Sequence, residues 1–526
     1  MIRKAILAAA LAGAAALPRP AKAGDFVDTR LNFTITDESI LVKPNETTPS
    51  VPGLRIGMPN SLGILFFDNY DTRFSGYENL SHLVLYKNVD HAHWQAEGAL
   101  VLRFLEFTDV NLSTIDDGSY IKVTWWADPS RTYHGNLSLT AFPLNADRLR
   151  LGYSYRISWG GSPVFFKFNP DLPQGASAFV QNTNPAPGAR LQWAHDRFYV
   201  WGGAKSSVLL NRSDARQESV WAGLFGAGVD ATPNLRIEAN GGVFDRGTNQ
   251  KQDVLGEQVT LYGASAQVAV HKDMPVTSST DYALYRNDPS GITTFFHPEQ
   301  YPGGLAWLIM SEATVAGQTL QDPDKPQSTK VQVATAGDLN VRIKWNQTRL
   351  RLDAAYRSLA FVLLNVPSFV PYQDFESSSK TDPDFFGAIG GDRHFPTLGL
   401  TMGATLGVDR PASFTPPPGQ PLPPGVGGGG MGSSLNMANT TVVVRNEGDF
   451  SILPPNQSPV AIFALKLTAR EDFNDYFATI LDIYYVRDEN RTQLVSSDPN
   501  NPTALPTRVF VEPNQIGFNL TLQARF

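Results

Sequence analysis

The chain contains 526 residues, among them 31 Phe, 17 Tyr, 9 Trp and no Cys. Because no Cys is present, disulfides, thiol catalysis and thiolate metal sites are all excluded. The formal net charge of −7 argues against nucleic acid as a partner, since surfaces that bind nucleic acid are basic.

The first 23 residues have the features of a cleaved signal peptide. Arg3 and Lys4 precede a short apolar run at residues 6–17, and Ala21-Lys22-Ala23 has the form of a cleavage site. The apolar run is too short for a good membrane span. We therefore expect residues 1–23 to be removed. Four basic residues and no acidic ones leave with them, which takes the formal net charge from −7 to −11.

Beyond the signal peptide, apolar and polar residues alternate in many short segments, and no run of about 18 apolar residues predicts a transmembrane helix. Alternation gives a strand one apolar and one polar face. The predicted strands lie near residues 31–36, 76–88, 95–108, 119–127, 136–143, 149–159, 188–206, 217–230, 235–243, 257–271, 275–287, 303–317, 341–346, 349–357, 383–408, 457–470, 474–487 and 516–526. Two weaker candidates, 62–67 and 292–296, determine the total number of strands.

Short and long connections alternate between these segments. Short polar turns are predicted at residues 230–234, 271–275, 346–348 and 471–474. Longer connections lie near residues 38–60, 161–187, 318–328, 362–382, 409–456 and 488–512. Within 409–456, residues 415–430 consist mostly of Pro and Gly, which cannot form a central strand, so we expect an external loop there.

Five basic residues lie on the polar face of the predicted hairpin 339–361. They are Arg342, Lys344, Arg349, Arg351 and Arg357. If that face lines the lumen of a barrel, these side chains form a positive strip that attracts anions or orients a dipolar solute. In the alternative interpretation they have a structural role and pair with acidic residues of an infolded connection. Those acidic residues are Asp374, Glu376, Asp382 and Asp384.

The last eleven residues, 516–526, alternate without a break between apolar and polar side chains and end on Phe. Their length suits a tilted strand that crosses the hydrocarbon core. The segment resembles the C-terminal strand of Gram-negative outer-membrane β-barrels, whose terminal aromatic residue addresses the chain to the barrel-assembly machinery. This resemblance implies a barrel-assembly signal formed by Phe518, Leu520, Leu522 and Phe526.

The histidines give no convincing catalytic or metal site. His91 and His93 share one face of a strand and have Asp90 beside them, but no third or fourth metal ligand can be located. No Gly-x-Ser-x-Gly motif occurs at a plausible nucleophile elbow, and no His lies in a recognisable motif of a barrel phospholipase or protease. We therefore expect no enzymatic activity, no metal site and no cofactor.

Together these features predict an all-β protein: one transmembrane, antiparallel, up-and-down β-barrel of about 20 strands, within a range of about 16 to 22. The barrel would comprise residues 24–526, with short turns facing the periplasm and long loops facing outward. A secreted β-sandwich also alternates, but rows of Arg and Lys on polar faces, and Tyr and Trp near strand ends, favour the barrel.

The predicted location is the outer membrane of a Gram-negative bacterium. The stretches 28–38 and 517–526 resemble large uncharacterised outer-membrane proteins of myxobacteria, which implies this location and fold but no substrate. The leading functional hypothesis is a porin-like channel for passive passage of small solutes. The alternative is a barrel that anchors an envelope machine, or serves as its conduit, in surface-polymer export, adhesion or gliding.

The expected partners follow from that location. They are outer-membrane lipids, lipopolysaccharide and the barrel-assembly machinery, with further copies of this chain or envelope-complex proteins as additional candidates. No nucleic acid is expected.

Overall fold

The structure is a computed structural model of the chain. It describes residues 27–37, 39–41, 53–56, 81–107, 112–116, 119–131, 135–144, 149–152, 186–210, 217–249, 251–274, 276, 303–365, 373–417, 440–446, 449–495 and 507–525. The predicted signal peptide, most of the Pro/Gly-rich segment, Phe526 and the strand candidates 62–67, 275–287 and 292–296 lie wholly or almost wholly outside these residues. Within the described residues, no helix has the length and hydropathy that a membrane span requires.

Nearly all regular structure in the described residues is β-strand. In chain order the elements are β1 (Val27–Asp37), β2 (Gly53–Ile56), β3 (Ser81–Asp90), β4 (Trp94–Phe107), β5 (Leu112–Asp116), β6 (Tyr120–Trp126), β7 (Asn136–Phe142), β8 (Gly188–His195), β9 (Phe198–Leu210), β10 (Gln217–Thr232), β11 (Leu235–Thr248), a short 3-10 helix (Gln252–Val254), β12 (Gln258–Lys272), β13 (Leu305–Gln321), β14 (Thr329–Trp345), β15 (Thr348–Arg357), α1 (Leu359–Asn365), β16 (Lys380–Asp382), β17 (Asp384–Phe395), β18 (Leu400–Arg410), β19 (Ala412–Thr415), β20 (Val442–Asn446), β21 (Asp449–Ile452), β22 (Ile462–Asp472), β23 (Phe477–Arg487), β24 (Thr492–Val495), β25 (Thr507–Phe510) and β26 (Asn514–Arg525).

The strands form a closed antiparallel ring. Among the described residues one sheet contains 20 strands, of which β2 and β5 each pair along a single edge, with β1 and β4 respectively, so the ring of described strands has 18 members. Neighbours in the ring follow chain order, and β26 returns to pair with β1 from Arg30↔Arg525 to Asp37↔Phe518. The predicted up-and-down barrel is confirmed, and its even number of strands lies within the predicted range.

Short turns collect at one end of the ring. The turns predicted at 230–234, 346–348 and 471–474 join β10–β11, β14–β15 and β22–β23. Asn346 adopts a φ of 52°, which Asn tolerates better than most residues in a tight hairpin turn. Two segments predicted as single strands, 188–206 and 383–408, are instead hairpins, β8–β9 and β17–β18.

The turn predicted at 271–275 does not join neighbouring strands. Strand β12 pairs along one edge with β11 and along the other with β13, which begins only at Leu305. Past the end of β12, Met274 and Val276 pack against the inward side chains of Leu308 and Met310. The polar residues His271 and Asp273 resemble a turn locally, but the chain enters the barrel interior here.

The outward face of the ring is apolar and carries two aromatic belts. At the end with the short turns the exposed aromatic residues include Trp94, Trp125, Trp193, Phe198, Trp345 and Phe395. Toward the other end they include Trp221, Tyr356, Phe385 and Phe463. Phe385 and Phe395 lie on the same strand, and the ten steps between them span about 25 Å at a normal strand rise and barrel tilt, which matches the height of the apolar band in outer-membrane barrels.

An even-numbered antiparallel ring with this belt, short turns at one end and long connections at the other, is the architecture of a bacterial outer-membrane barrel. The chain has the fold of an outer-membrane β-barrel.

The outward face of β17 gives a first prediction, because Ile389 points outward between Phe385 and Phe395 and is 59% exposed. We expect Ile389→Arg to lower the free energy of unfolding from lipid vesicles by about 2–4 kcal/mol, since its charge would lie in the hydrocarbon core. The control is Leu398→Arg, because Leu398 is equally exposed but lies in a short turn. Denaturant titration in vesicles measures both, and equal losses would contradict this placement of the membrane.

Candidate functional site: the inner face of the barrel

The structure places the five predicted basic side chains on the inner face of β14 and β15. Outward positions on these strands hold exposed Val, Leu and Trp side chains, whereas the alternate positions face the interior. In the register of the hairpin, Arg342 lies directly opposite Arg351, and Lys344 directly opposite Arg349. Like charges opposite each other in a sheet repel, so this arrangement requires nearby acidic groups.

Two of the five cations pair with carboxylates of β17, the next strand in the ring. Arg349 Nη2 lies 2.7 Å from Asp392 Oδ2, and both side chains are almost fully buried. Arg357 Nε lies 3.1 Å from Asp384 Oδ1. Asp384 is one of the acidic residues that the structural alternative named, but it lies on a wall strand rather than on an infolded connection.

The other predicted acidic partners lie elsewhere. Asp374 pairs with Lys330 and accepts a hydrogen bond from Gln332, whereas Asp382 lies near Lys380 and Arg410. Asp392 is not predicted from the sequence, because a partner on the adjacent strand can be identified only when the register is known.

The remaining three cations surround a polar network on β14, β15 and β18. Arg342 Nε donates to Asn340 Oδ1 at 3.0 Å, and the Asn340 amide donates in turn to Asp353. Arg351 Nη2 donates to Thr405 Oγ1 at 2.7 Å. Lys344 faces inward beyond Arg342, toward the end with the short turns. This part of the inner wall is thus a dense patch of positive charge that borders Asp353.

Charged side chains continue around the inner face beyond the predicted strip. Lys466 Nζ lies 3.6 Å from Asp482 Oδ1 across β22 and β23. Asp472 bridges two arginines, at 3.0 Å from Arg470 and 2.9 Å from Arg525. These inward residues alternate along β22, β23 and β26 in the sequence, so the same alternation that revealed the first strip could have revealed them.

The wall on the other side of β14 is acidic. Strand pairing places Glu238, Gln267, Glu312 and Asp338 side by side on β11, β12, β13 and β14. All four side chains are at least nine-tenths buried, and Glu312 accepts hydrogen bonds from Ser265 and Thr314. The inner face therefore has an acidic sector from β11 to β14 that adjoins the basic sector of β14 and β15.

The inner face from β3 to β14 also carries a large apolar cluster, here called the lumen cluster. Wall side chains such as Tyr86, Trp201 and Phe244 pack there with Leu149, Leu151 and the helix α1. We predicted 149–159 as a wall strand, and for 149–152 this is wrong. A local alternation of Leu149 and Leu151 with polar residues does not distinguish a wall strand from an infolded segment.

Two glycines of the barrel wall leave room for the infolded segment 149–152. A Cβ built on Gly203 of β9 would lie 3.0 Å from a Leu149 methyl, and one on Gly263 of β12 would lie 2.8 Å from a Leu151 methyl. The backbone nitrogen of Gly152 donates to Asn240 Oδ1 at 2.9 Å. Segment 149–152 is therefore fitted to the wall by shape and by a hydrogen bond.

The residues of the predicted assembly signal lie on the strand that closes the ring. Leu520 and Leu522 are exposed on the outward face of β26, and Phe518 is on the same face and partly exposed. Phe526 lies outside the described residues. The role of these residues in assembly stays a prediction, as does the resemblance to myxobacterial proteins.

The histidine pair lies in the β3–β4 turn and makes structural contacts. His91 stacks on Trp94 with ring centroids 5.5 Å apart, and His93 Nδ1 lies 3.3 Å from the Trp126 carbonyl oxygen. Among the described residues, no group of three or more His, Asp or Glu side chains could hold a metal ion.

Comparison with known proteins gives distant structural likenesses. No protein-family model and no curated protein matches the chain. It is similar to OpdL of Pseudomonas aeruginosa, at 9% identity over 96% of this chain and 99% of that chain, with a TM-score of 0.42. It is also similar to the outer membrane protein OpdK of the same organism, at 8% identity over 95% and 98% of the two chains, with a TM-score of 0.40. Acinetobacter baumannii OccAB3 gives 7% identity over 95% and 98%, with a TM-score of 0.40.

The assignment as an outer-membrane barrel depends on the chain's own strand pairing.

The buried ion pair Arg349–Asp392 gives a second prediction. We expect Arg349→Met to lower the free energy of unfolding by about 3–5 kcal/mol, because it leaves the Asp392 carboxylate buried without its partner. The double variant Arg349→Met/Asp392→Leu should recover most of that loss. The control, Arg487→Met, removes an exposed partner of Glu489 and should cost about 0–1 kcal/mol. Denaturant unfolding compares the variants, and a double variant no more stable than Arg349→Met would contradict the pairing.

Proposed function

We propose that the protein is a porin-like channel for the passive passage of small solutes across the outer membrane. The observation that supports this most directly is the charged inner face of a closed ring. Burying so many ionisable groups is costly unless they are paired or reached by water. Charges that line a channel set which solutes enter it.

The inferred role of the basic sector is to attract anions, or the anionic end of a dipolar solute. Arg342, Lys344 and Arg351 adjoin one another on β14 and β15 in a single patch. Arg349 and Arg357 hold the carboxylates of Asp392 and Asp384, so we assign them mainly a structural role. A passing anion would then meet the three side chains of the patch together.

The third prediction tests this assignment by single-channel recording of residues 24–526 in planar bilayers. The variant carries Arg342→Gln, Lys344→Gln and Arg351→Gln, which removes the patch but keeps both carboxylate-bound arginines. The anion-to-cation permeability ratio should fall several-fold, because the charge that concentrates anions is lost.

The control carries Lys325→Gln, Arg197→Gln and Arg487→Gln, three exposed cations that lie in turns or at the end of a strand. It loses the same net charge outside the patch, so its permeability ratio should change little. Equal falls in both variants would assign the selectivity to the overall charge rather than to the patch. A folded barrel with no conductance, in the parent and all variants, would contradict the channel and favour the anchor or conduit hypothesis.

A further inference from the structure

The helix α1 has two apolar faces that pack against different parts of the molecule. Ala360, Phe361 and Leu364 belong to the lumen cluster, in which they join inward-facing residues of β14. Leu359, Val362 and Leu363 belong to a second cluster. These spacings put the two sets on opposite sides of one helix, and all six side chains are nine-tenths or more buried.

The second cluster lies beneath a small sheet formed by two connections at the end opposite the short turns, here called the cap sheet. It has the strand order β16-β19-β20-β21. Strand β16 comes from the connection that contains α1, and the other three come from the connection that contains the Pro/Gly-rich segment. Phe414 of β19 packs on Phe375, with ring centroids 5.4 Å apart, and α1 itself contacts β19.

A polar latch holds the same connection to the mouth of the barrel. Asp374 Oδ2 lies 3.1 Å from Lys330 Nζ on the inner face of β14, and Asp374 Oδ1 accepts a hydrogen bond from Gln332 at 2.5 Å. The Asp374 backbone nitrogen donates to the Gln321 carbonyl at 3.0 Å, beside a parallel bridge between Gln321 and Gln373. The connection is therefore fixed to the barrel on the C-terminal side of α1.

We propose that α1, the cap sheet and the Asp374 latch form a gate, in which contacts at the outer mouth hold the helix inside the barrel and restrict conduction. This proposal rests on the proposed channel function. To leave the lumen, α1 must separate from the lumen cluster and either leave the cap sheet or move with it. Conduction should consequently respond to changes in the cap sheet, which does not line the lumen.

A reversible staple gives the most direct test. Gln321 and Gln373 are bridge partners, and sheet partners lie about 5 Å apart, within the range that a disulfide spans. The chain has no Cys, so Gln321→Cys/Gln373→Cys introduces the only thiols. In planar bilayers the oxidised protein should have an open probability at least about tenfold below that of the same protein after reduction. The single variant Gln373→Cys, treated identically, should not change.

Two further variants loosen the gate without touching the basic patch. Asp374→Asn weakens the latch and should raise the open probability roughly three- to tenfold, as expected for a charge-assisted hydrogen bond. Phe414→Ala removes a buried ring from the cap sheet and should raise the open probability by at least about tenfold. The control for Phe414→Ala is Phe510→Ala, which removes a half-exposed ring from β25 and should leave conduction unchanged.

The outcomes separate the gate from the channel. Conduction that depends on the staple and rises in Asp374→Asn and Phe414→Ala supports the gate. Steady conduction in the parent protein that none of these changes alters would overturn the gate and leave the channel intact. If none of these proteins conducts although the barrel is folded, the result would contradict both the channel and the gate.

Discussion

Closure of the hydrogen-bonded ring between β1 and β26 is the constraint on which the rest of the structure depends. An unpaired strand edge cannot remain in hydrocarbon, because its backbone groups would have no partners there. Inside the ring, Thr34 bonds to Thr521, Thr36 to Asn519, and Asn32 to Gln523, so side chains reinforce the backbone pairing. Once the ring is closed, a shift of one residue in any strand would exchange its lipid-facing and interior side chains.

Closure also gives the interior a mixed chemistry. The lumen cluster adds apolar groups to the side from β3 to β14, which also contains the acidic sector, whereas β14 to β26 carry rows of ion pairs. Apolar packing lowers the local dielectric constant, which strengthens neighbouring charge interactions and makes an unpaired charge costlier. The pairing of Arg349 with Asp392 and of Arg470 with Asp472 is thus what allows charged rows to share a barrel with an apolar cluster.

Alternation in the sequence predicted the fold class and most wall strands, because lipid on one side and a polar interior on the other impose a period of two. The hairpin of β14 and β15 and the closing strand β26 were found in this way. The same pattern gave wrong predictions at 149–152 and after β12. Alternation indicates a strand, but it does not identify the strands that pair with it. Which residues lie beside Asp392 and Glu312 depends on the register of the neighbouring strands. No local pattern in the sequence specifies that register.

The helix α1 shows most clearly why local sequence was insufficient. Its seven residues, Leu359–Asn365, are too few to be helical in isolation, since short helices cannot repay the cost of nucleation. Its conformation must therefore be maintained by the lumen cluster on one face and the cap sheet on the other. Because the helix is not stable in isolation, it changes conformation when either support moves. The two connections that build the cap sheet therefore control whether the helix occupies the lumen.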